Sequence, residues 1–448
     1  MRFDAEVGIV GAGPIGIETH WALKGAGVSV VHVEAGAVGS TMGWWAPGTK
    51  YFSSPERIEI CGVPLITAGQ DKATREEYLA YLRQVVGTHQ LPIRTHTRVV
   101  DVRAVDEARG GGFEVVTEPS EHGVGGPAEM RRAAARAPSV GSADTPPVGA
   151  GEESPSPRPS PACLGRGPAP AKNPSPRPSP PRGEGGETLR VRRVVLAIGN
   201  MHRPRVLGIA GESLAHVSHY LDDPHEYAGR RAVIVGGKNS AVEAAIRLYR
   251  VGARVTVSYR RSAFDRERIK YWLLPEIEWL IRNGKIGFAP CTVPTEIRAG
   301  SIELERVAAD GGAGGGDLSA VHERQQEHAG APDGTDRCVD TRALAVGERA
   351  EVAADCVVLL TGYVQDPDLF DRLGVEREGE ERRAVVNPRT METNVPGVYV
   401  AGTAAGGSQR RATVFIETSH VHAGRIAAAV TGRESGQETP RYGAMEES

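Results

Sequence analysis

Two glycine-rich stretches of this chain combine residue types and spacings that could hold phosphate groups. The first, residues 6–18, places G-x-G-x-x-G at Gly11, Gly13 and Gly16, directly after a short apolar run and at the opening of a helix-like segment. Gly11 permits the tight turn. Gly13 leaves no side chain in front of a pyrophosphate, and Gly16 allows close packing of helix on strand. Pro14 suits a first helical turn, and Ile15 sits inside the motif among the groups facing a ligand. The amides and positive dipole end of such a helix favour an anion. The next strand, expected over Val28 to Val33, ends in Glu34, 23 residues after Gly11, where a carboxylate can accept hydrogen bonds from ribose hydroxyls. That pattern implies an adenosine ribose without a 2′-phosphate, as in FAD or NAD.

The second stretch starts at Arg231 and repeats strand, Gly236-Gly237 turn and helix, with Lys238 at the position of the second motif glycine. Either the backbone approaches the pyrophosphate less closely, or the ammonium itself contacts phosphate. Asn239 and Ser240 are residue types that cap a helix start. The following strand ends in Tyr259-Arg260-Arg261 and not in an acid. A guanidinium pair there could clamp a 2′-phosphate through charge-assisted bonds, which favours NADPH over NADH. Two dinucleotide sites more than 200 residues apart point to FAD at the first and NADPH at the second. Strand-ending glycines Gly199 and Gly362 fit crossings between two units. Gly402-Thr403, followed by a helix expected to begin near Thr413, fits a helix start facing a flavin, whose reduced form carries negative charge.

The elements that must position these residues alternate between strand and helix, the pattern of α/β folds with parallel sheets. A chain of 448 residues allows two such units and a sizeable core. The expected organisation is an FAD-binding unit assembled from residues 1–117, 188–204 and 353–432, and an NADPH-binding unit over 205–352. Residues 118–187 are rich in Pro, Ser, Gly and Arg and contain the heptapeptide PSPRPSP twice, so they are expected to be a disordered insertion at a surface turn. A Gly-rich loop is expected at 308–338 and a disordered tail at 433–448. With 53 Lys and Arg against 56 Asp and Glu, the net charge of −3 offers no basic face for nucleic acid or an anionic membrane. Without a visible signal segment or a membrane-length apolar run, a cytoplasmic location is expected. Cys61, Cys163, Cys291, Cys338 and Cys356 stand singly, with neither C-x-x-C nor metal-ligand spacing.

The chain resembles the pyridine nucleotide-disulfide oxidoreductases of thioredoxin-reductase type, and more closely the bacillithiol disulfide reductase family. The resemblance rests on the ten residues Tyr51 to Ile60 (YFSSPERIEI), on Gly236-Gly-Lys-Asn-Ser-Ala, on Ile269-Lys-Tyr-Trp-Leu-Leu-Pro and on Thr413-Val-Phe-Ile-Glu-Thr. It covers nearly everything outside the two soft insertions. It implies a fold of two Rossmann-like dinucleotide-binding domains and an NADPH-dependent flavoenzyme, often a homodimer, that reduces a small-molecule electron acceptor such as a thiol disulfide. Lys238 and the absence of an acid at Thr403 are traits of that family. One position departs from it, since the family commonly has a cysteine where this chain has Ile15. Electrons would then leave the flavin directly or through an unrecognised thiol, for which Cys61 is the candidate. Reduction of ferredoxin, flavodoxin or a quinone, and a non-catalytic nucleotide-bound redox sensor, are the alternative readings.

Overall fold

The computed structural model describes residues 2–106, 111–121, 123, 126–127, 186–309, 343–409 and 413–433. Strand β1 (Ala5–Val10) is apolar on both faces, with Val7 and Ile9 fully buried, as a central parallel strand requires. Around it lie β2 (Val30–Val33), β3 (Ile93–Arg94), β4 (Thr97–Ala104), β5 (Phe113–Pro119) and β6 (Glu187–Leu196), in the order β3-β2-β1-β6-β5-β4. The β6 strand is long enough to serve two partners along one edge. Its first half pairs antiparallel with β5, and its second half pairs parallel with the late strand β19 (Val398–Val400).

Beyond β6, β7 (Arg203–Pro204) and β16 (Tyr363–Val364) form an antiparallel pair where the chain passes between the two units. The second sheet is wholly parallel, built from β8 (Val217–Ser218), β9 (Arg231–Val235), β10 (Arg254–Tyr259), β11 (Gly287–Pro290) and β15 (Cys356–Leu359) in the order β11-β10-β9-β15-β8. A three-stranded antiparallel sheet of β12 (Thr292–Arg298), β13 (Ser301–Arg306) and β14 (Arg349–Ala353) is inserted before β15, and β17 (Arg377–Glu378) pairs with β18 (Arg383–Ala384). The helices are α1 (Pro14–Gly25), α2 (Pro55–Ile58), α3 (Arg75–Thr88), α4 (Asn239–Arg250), α5 (Leu273–Arg282), α6 (Asp368–Leu373) and α7 (Ile416–Val430). Helices α1 and α7 share one apolar layer through Ile15, Leu23, Ile426 and Ala427. None of the helices among the described residues is long and apolar enough to cross a membrane.

Three details differ from the sequence-based expectations. The β15 strand lies past the boundary expected at 352/353, yet it pairs with β9 and β8 in the second sheet, because the inserted antiparallel sheet delays the return of the chain to that layer. The last helix begins at Ile416 and not near Thr413, whose amide is instead taken by the Gln409 side chain at 2.7 Å. Strand pairing also extends to Glu118 and Pro119 on β5 and to Glu187 on β6, inside the range assigned to the insertion. The rest of that insertion, apart from a few residues near 120–127, lies outside the described residues, as do most of the 308–338 loop and the tail.

Because Thr117 pairs with Glu187, the insertion leaves and re-enters the sheet at neighbouring positions. Replacing residues 128–185 by a short Gly/Ser turn, which spares Gly126 and its hydrogen bond to the His202 carbonyl, should therefore leave the melting temperature unchanged or raise it by a few degrees. Each halving of a flexible loop relieves only about 0.6 kcal/mol. A calorimetric loss of more than about 10 °C would show that the segment packs on the sheet.

Candidate functional site

A cavity of about 830 Å³ opens at the carboxyl ends of the first sheet and reaches the start of α4 in the second unit. Its floor is the β1–α1 turn. There Gly11 has φ +103°, and a Cβ on it would lie 2.5 Å from the Ala197 carbonyl oxygen, while one on Gly16 would collide with the Gly11 carbonyl. Both glycines are thus demanded by the backbone of the protein. Gly13 differs, because a Cβ there would meet nothing within 4 Å. Its lack of a side chain leaves open space in the cavity, and the open amides of the α1 N-terminus lie beside that gap.

Glu34 follows β2 and borders the same cavity. Its Oε1 accepts from the Gly36 amide at 2.8 Å and the Ser40 hydroxyl at 2.9 Å, and its Oε2 accepts from the Ala12 amide at 2.7 Å. A carboxylate offers about four acceptor sites. The carboxylate therefore braces the phosphate turn and keeps acceptor capacity on Oε2 for a hydroxyl in the cavity.

Behind both glycine turns of this unit stand buried imidazoles. His32 Nε2 donates to the Gly11 carbonyl at 3.0 Å, and His32 Nδ1 lies 3.1 Å from His20 Nδ1. With the His32 proton on Nε2, His20 Nδ1–H is the donor of the second bond. On α7, His422 Nδ1 accepts from the Gly402 amide at 3.1 Å. Burial lowers all three groups from 6.5, to about 4 for His20, about 3 for His32 and about 4 for His422. This keeps them neutral at physiological pH, as the acceptor roles of His32 Nδ1 and His422 Nδ1 require. Gly402 in turn packs on Ile15, with a Cβ built on it only 3.2 Å from Ile15 Cβ.

The second glycine turn is shaped differently. A Cβ on Gly236, which has φ +144°, would lie 2.6 Å from the Leu360 carbonyl, and one on Gly237 would run into the Tyr259 ring. Lys238 is the N-cap residue of α4. Burial lowers its pKa, and so do the charges of Arg268, Arg260, Arg205 and Arg261. Five cations thus converge beside this turn, an arrangement that favours a polyanion. Arg261 lies 3.7 Å and Arg268 2.9 Å from the Asp265 carboxylate, which orients both. Asn239 does not cap the helix with its side chain. Its Oδ1 accepts from the Lys270 amide at 3.2 Å, a tertiary bond that replaces the expected local one.

The cavity brings together Gly11, Gly13, Pro14, Ile15, Glu34, Gly199, Asn239, Ser240, Gly402 and Thr403. Gly16, Gly236, Gly237, Lys238, Arg260, Arg261, Gly362 and Thr413 lie outside its lining. Sequence reading missed Arg247, Lys270 and Glu243, which reach the cavity from the second unit, and the aromatic walls Trp44, Tyr220 and Tyr363. Lys270 lies inside the string Ile269 to Pro275 that marks the family resemblance, though nothing in that string points to the cavity, and the others carry no motif by which to find them. Cys61, Cys291 and Cys356 are buried and do not border the cavity. Burial pushes the Cys61 thiol well up, so that it stays protonated inside an apolar cluster and is a poor electron relay. Cys163 and Cys338 lie outside the described residues.

Comparison with known proteins agrees with this geometry. The family model for pyridine nucleotide-disulphide oxidoreductases matches residues 8–122 and 184–307. The chain is 27% identical over 429 residues to the bacilliredoxin reductase Bdr of Bacillus subtilis, covering 95% of this chain and 98% of that one. Similarity to the ferredoxin–NADP reductase of Ignicoccus hospitalis is 28%, over 49% of this chain and 58% of that protein. Among solved structures, the bacillithiol disulfide reductase Bdr of Bacillus cereus superposes with a TM-score of 0.69 at 25% identity, covering 96% of this chain and 99% of that one.

The buried imidazoles make acid sensitivity the expected behaviour. A histidine whose folded pKa lies below its unfolded value contributes its full stability above about 6.5 and loses it as the pH falls towards the folded value. For His422, the change from 6.5 to about 4 corresponds to on the order of 3 kcal/mol. The urea midpoint should fall between pH 7 and pH 4.5. His422→Gln, which keeps an acceptor for the Gly402 amide but cannot titrate, should reduce that fall. Equal slopes in wild type and variant would show that folding does not lower the His422 pKa. His420 acts in the opposite sense. Burial opposes its charge, but the Glu18 carboxylate outweighs burial and raises its pKa, so its contribution is present at low pH and is lost as the pH rises through that raised value.

Proposed function

The chain belongs to the pyridine nucleotide-disulphide oxidoreductase family, and from that premise we propose that it holds FAD along the Gly11–Gly16 turn, takes hydride from NADPH at the Gly236–Ser240 turn, and reduces a low-molecular-weight disulfide of bacillithiol type. The observation that carries this reading is the unfilled space at Gly13, in a cavity that also contains the Glu34 carboxylate and the start of α4. The residues fit the cofactor. Main-chain amides at the α1 N-terminus suit a pyrophosphate, Glu34 Oε2 suits a ribose hydroxyl, and Gly402, Thr403, Phe415 and Ile416 supply a small-residue turn and a helix start for the ring system. FAD bound there supplies a two-electron carrier between coenzyme and disulfide. The balance is one hydride from NADPH and one proton from solvent for each S–S bond cleaved, yielding NADP and two thiols.

The protein's own part is binding and orientation. His32 and His422 fix the two turns from behind, and Glu34 fixes the first from the side. Lys238 with Arg205, Arg260, Arg261 and Arg268 forms the field that would receive the phosphates of NADPH. No cysteine among the described residues borders the cavity, and Ile15 lies in the glycine motif that lines it, so among the described residues no thiol stands between the flavin site and a disulfide. The choice of acceptor follows the extent of similarity. That with the bacilliredoxin reductase runs the length of both chains, whereas that with the ferredoxin–NADP reductase covers about half of this one.

Two measurements check the reading. Gly13→Ala should fold with a normal apo-protein melting temperature, because its Cβ meets no protein atom, yet it should purify with much less FAD than wild type. Full FAD content would remove the first site. Arg260→Ala or Arg261→Ala should lower kcat/KM for NADPH by roughly ten- to a hundredfold and leave NADH almost unchanged, since a hydrogen bond to a charged group contributes about 1.5–3 kcal/mol. Equal losses for both coenzymes would show that these arginines do not read the 2′-phosphate.

A further inference from the structure

Lys270 is almost completely buried and lies where the two dinucleotide units meet. Its Nζ donates to the Lys50 carbonyl of the first unit at 2.8 Å and to Glu243 Oε2 on α4 at 2.8 Å. Its own amide donates to Asn239 Oδ1 at 3.2 Å. One residue thus holds the first and second turns of α4 and the loop before Tyr51, and Lys50, Asn239, Glu243 and Lys270 all border the cavity. A second bridge runs parallel to it. Arg247, also on α4, donates to the Thr49 hydroxyl at 3.1 Å and to the Pro47 carbonyl. The Phe52 and Trp272 rings also stack, with centroids 6.0 Å apart. Lys50 and Lys270 are 220 positions apart in sequence.

A buried ammonium gives up much hydration and persists only where its partners are well placed. Bulk attraction between the units does not require such a group, since apolar residues would serve. A fixed charge with two directed partners, on a residue whose amide is also held, does something apolar packing cannot, because it specifies one orientation. We infer that Lys270, with Arg247, is a positioning residue for hydride delivery: it holds the N-terminus of α4, and hence the coenzyme carried there, in register with the 47–53 loop that borders the flavin cavity. This rests on the FAD and NADPH reading above. It assigns neither residue any proton or electron transfer. Misplacement of a reacting group by about 1 Å can cost on the order of a hundredfold in rate while leaving binding intact.

The test uses full-length, FAD-loaded protein in two variants. Lys270→Met combined with Glu243→Gln removes the first bridge without leaving a lone buried charge, and Arg247→Leu removes the second. In stopped-flow mixing with NADPH, the limiting rate of flavin bleaching should fall roughly tenfold or more in each, with the NADPH half-saturation point within about threefold of wild type. Independently of activity, hydrogen–deuterium exchange in FAD-loaded protein without NADPH should quicken in peptides covering 47–53 and the first turn of α4, and stay unchanged in β1 and α1. A limiting rate within about twofold of wild type in both variants, or unchanged exchange at the junction, overturns the inference. If the double variant fails to retain FAD, the Arg247→Leu result decides alone. Wild-type flavin that NADPH does not bleach would instead defeat the functional reading, so the two failures are distinguishable.

Discussion

Main-chain amides can hold a pyrophosphate only if no side chain stands before them and the turn that presents them does not move. Every feature of the first unit answers one of those demands. Gly13 leaves the space, and Gly11 and Gly16 let strand and helix come close enough to form the turn at all. Glu34, His32 and His20 then hold it from the side and rear. The parallel sheet serves the same end, because β1 between β2 and β6 brings the turn, Glu34 and the Ala197–Gly199 crossing to one edge.

The second unit solves the problem with charge instead of clearance. Lys238 stands where the first turn has Gly13, and the charges of four arginines act on it. Gly237 makes room for the Tyr259 ring. The two turns therefore look alike in sequence but differ in what their glycines make room for.

Much of this was legible in the sequence because it is local. Strand, turn, helix and terminal Glu34 follow one another within about thirty residues, and such short-range patterns survive folding. What escaped was tertiary. Asn239 is a good capping residue by type, but the Lys270 amide, brought close by the fold, takes its oxygen. His20, His32 and His422 carry no motif, and only the folded chain reveals that they back the glycine turns. Cys356 was expected in the first unit because residues 353–432 return there. Its strand completes the second sheet only once the β12–β14 insertion has been passed. Lys270 lies inside a string that marks the family resemblance, yet its partner, the Lys50 carbonyl, is a backbone atom that no sequence pattern can point to.

The central proposal is that a small disulfide is reduced here without a relay through any cysteine among the described residues, a reading that rests on Ile15 and on the burial of Cys61 away from the cavity. The direct test is anaerobic. Enzyme reduced with one equivalent of NADPH is mixed rapidly with bacillithiol disulfide, and the flavin spectrum is followed from 350 to 700 nm, in wild type and in Cys61→Ala. The account predicts that the oxidised flavin band returns fully in both proteins, with no long-wavelength thiolate–flavin charge-transfer band at any time. Failure of the disulfide to restore the band, or a charge-transfer band that disappears in Cys61→Ala, would contradict it.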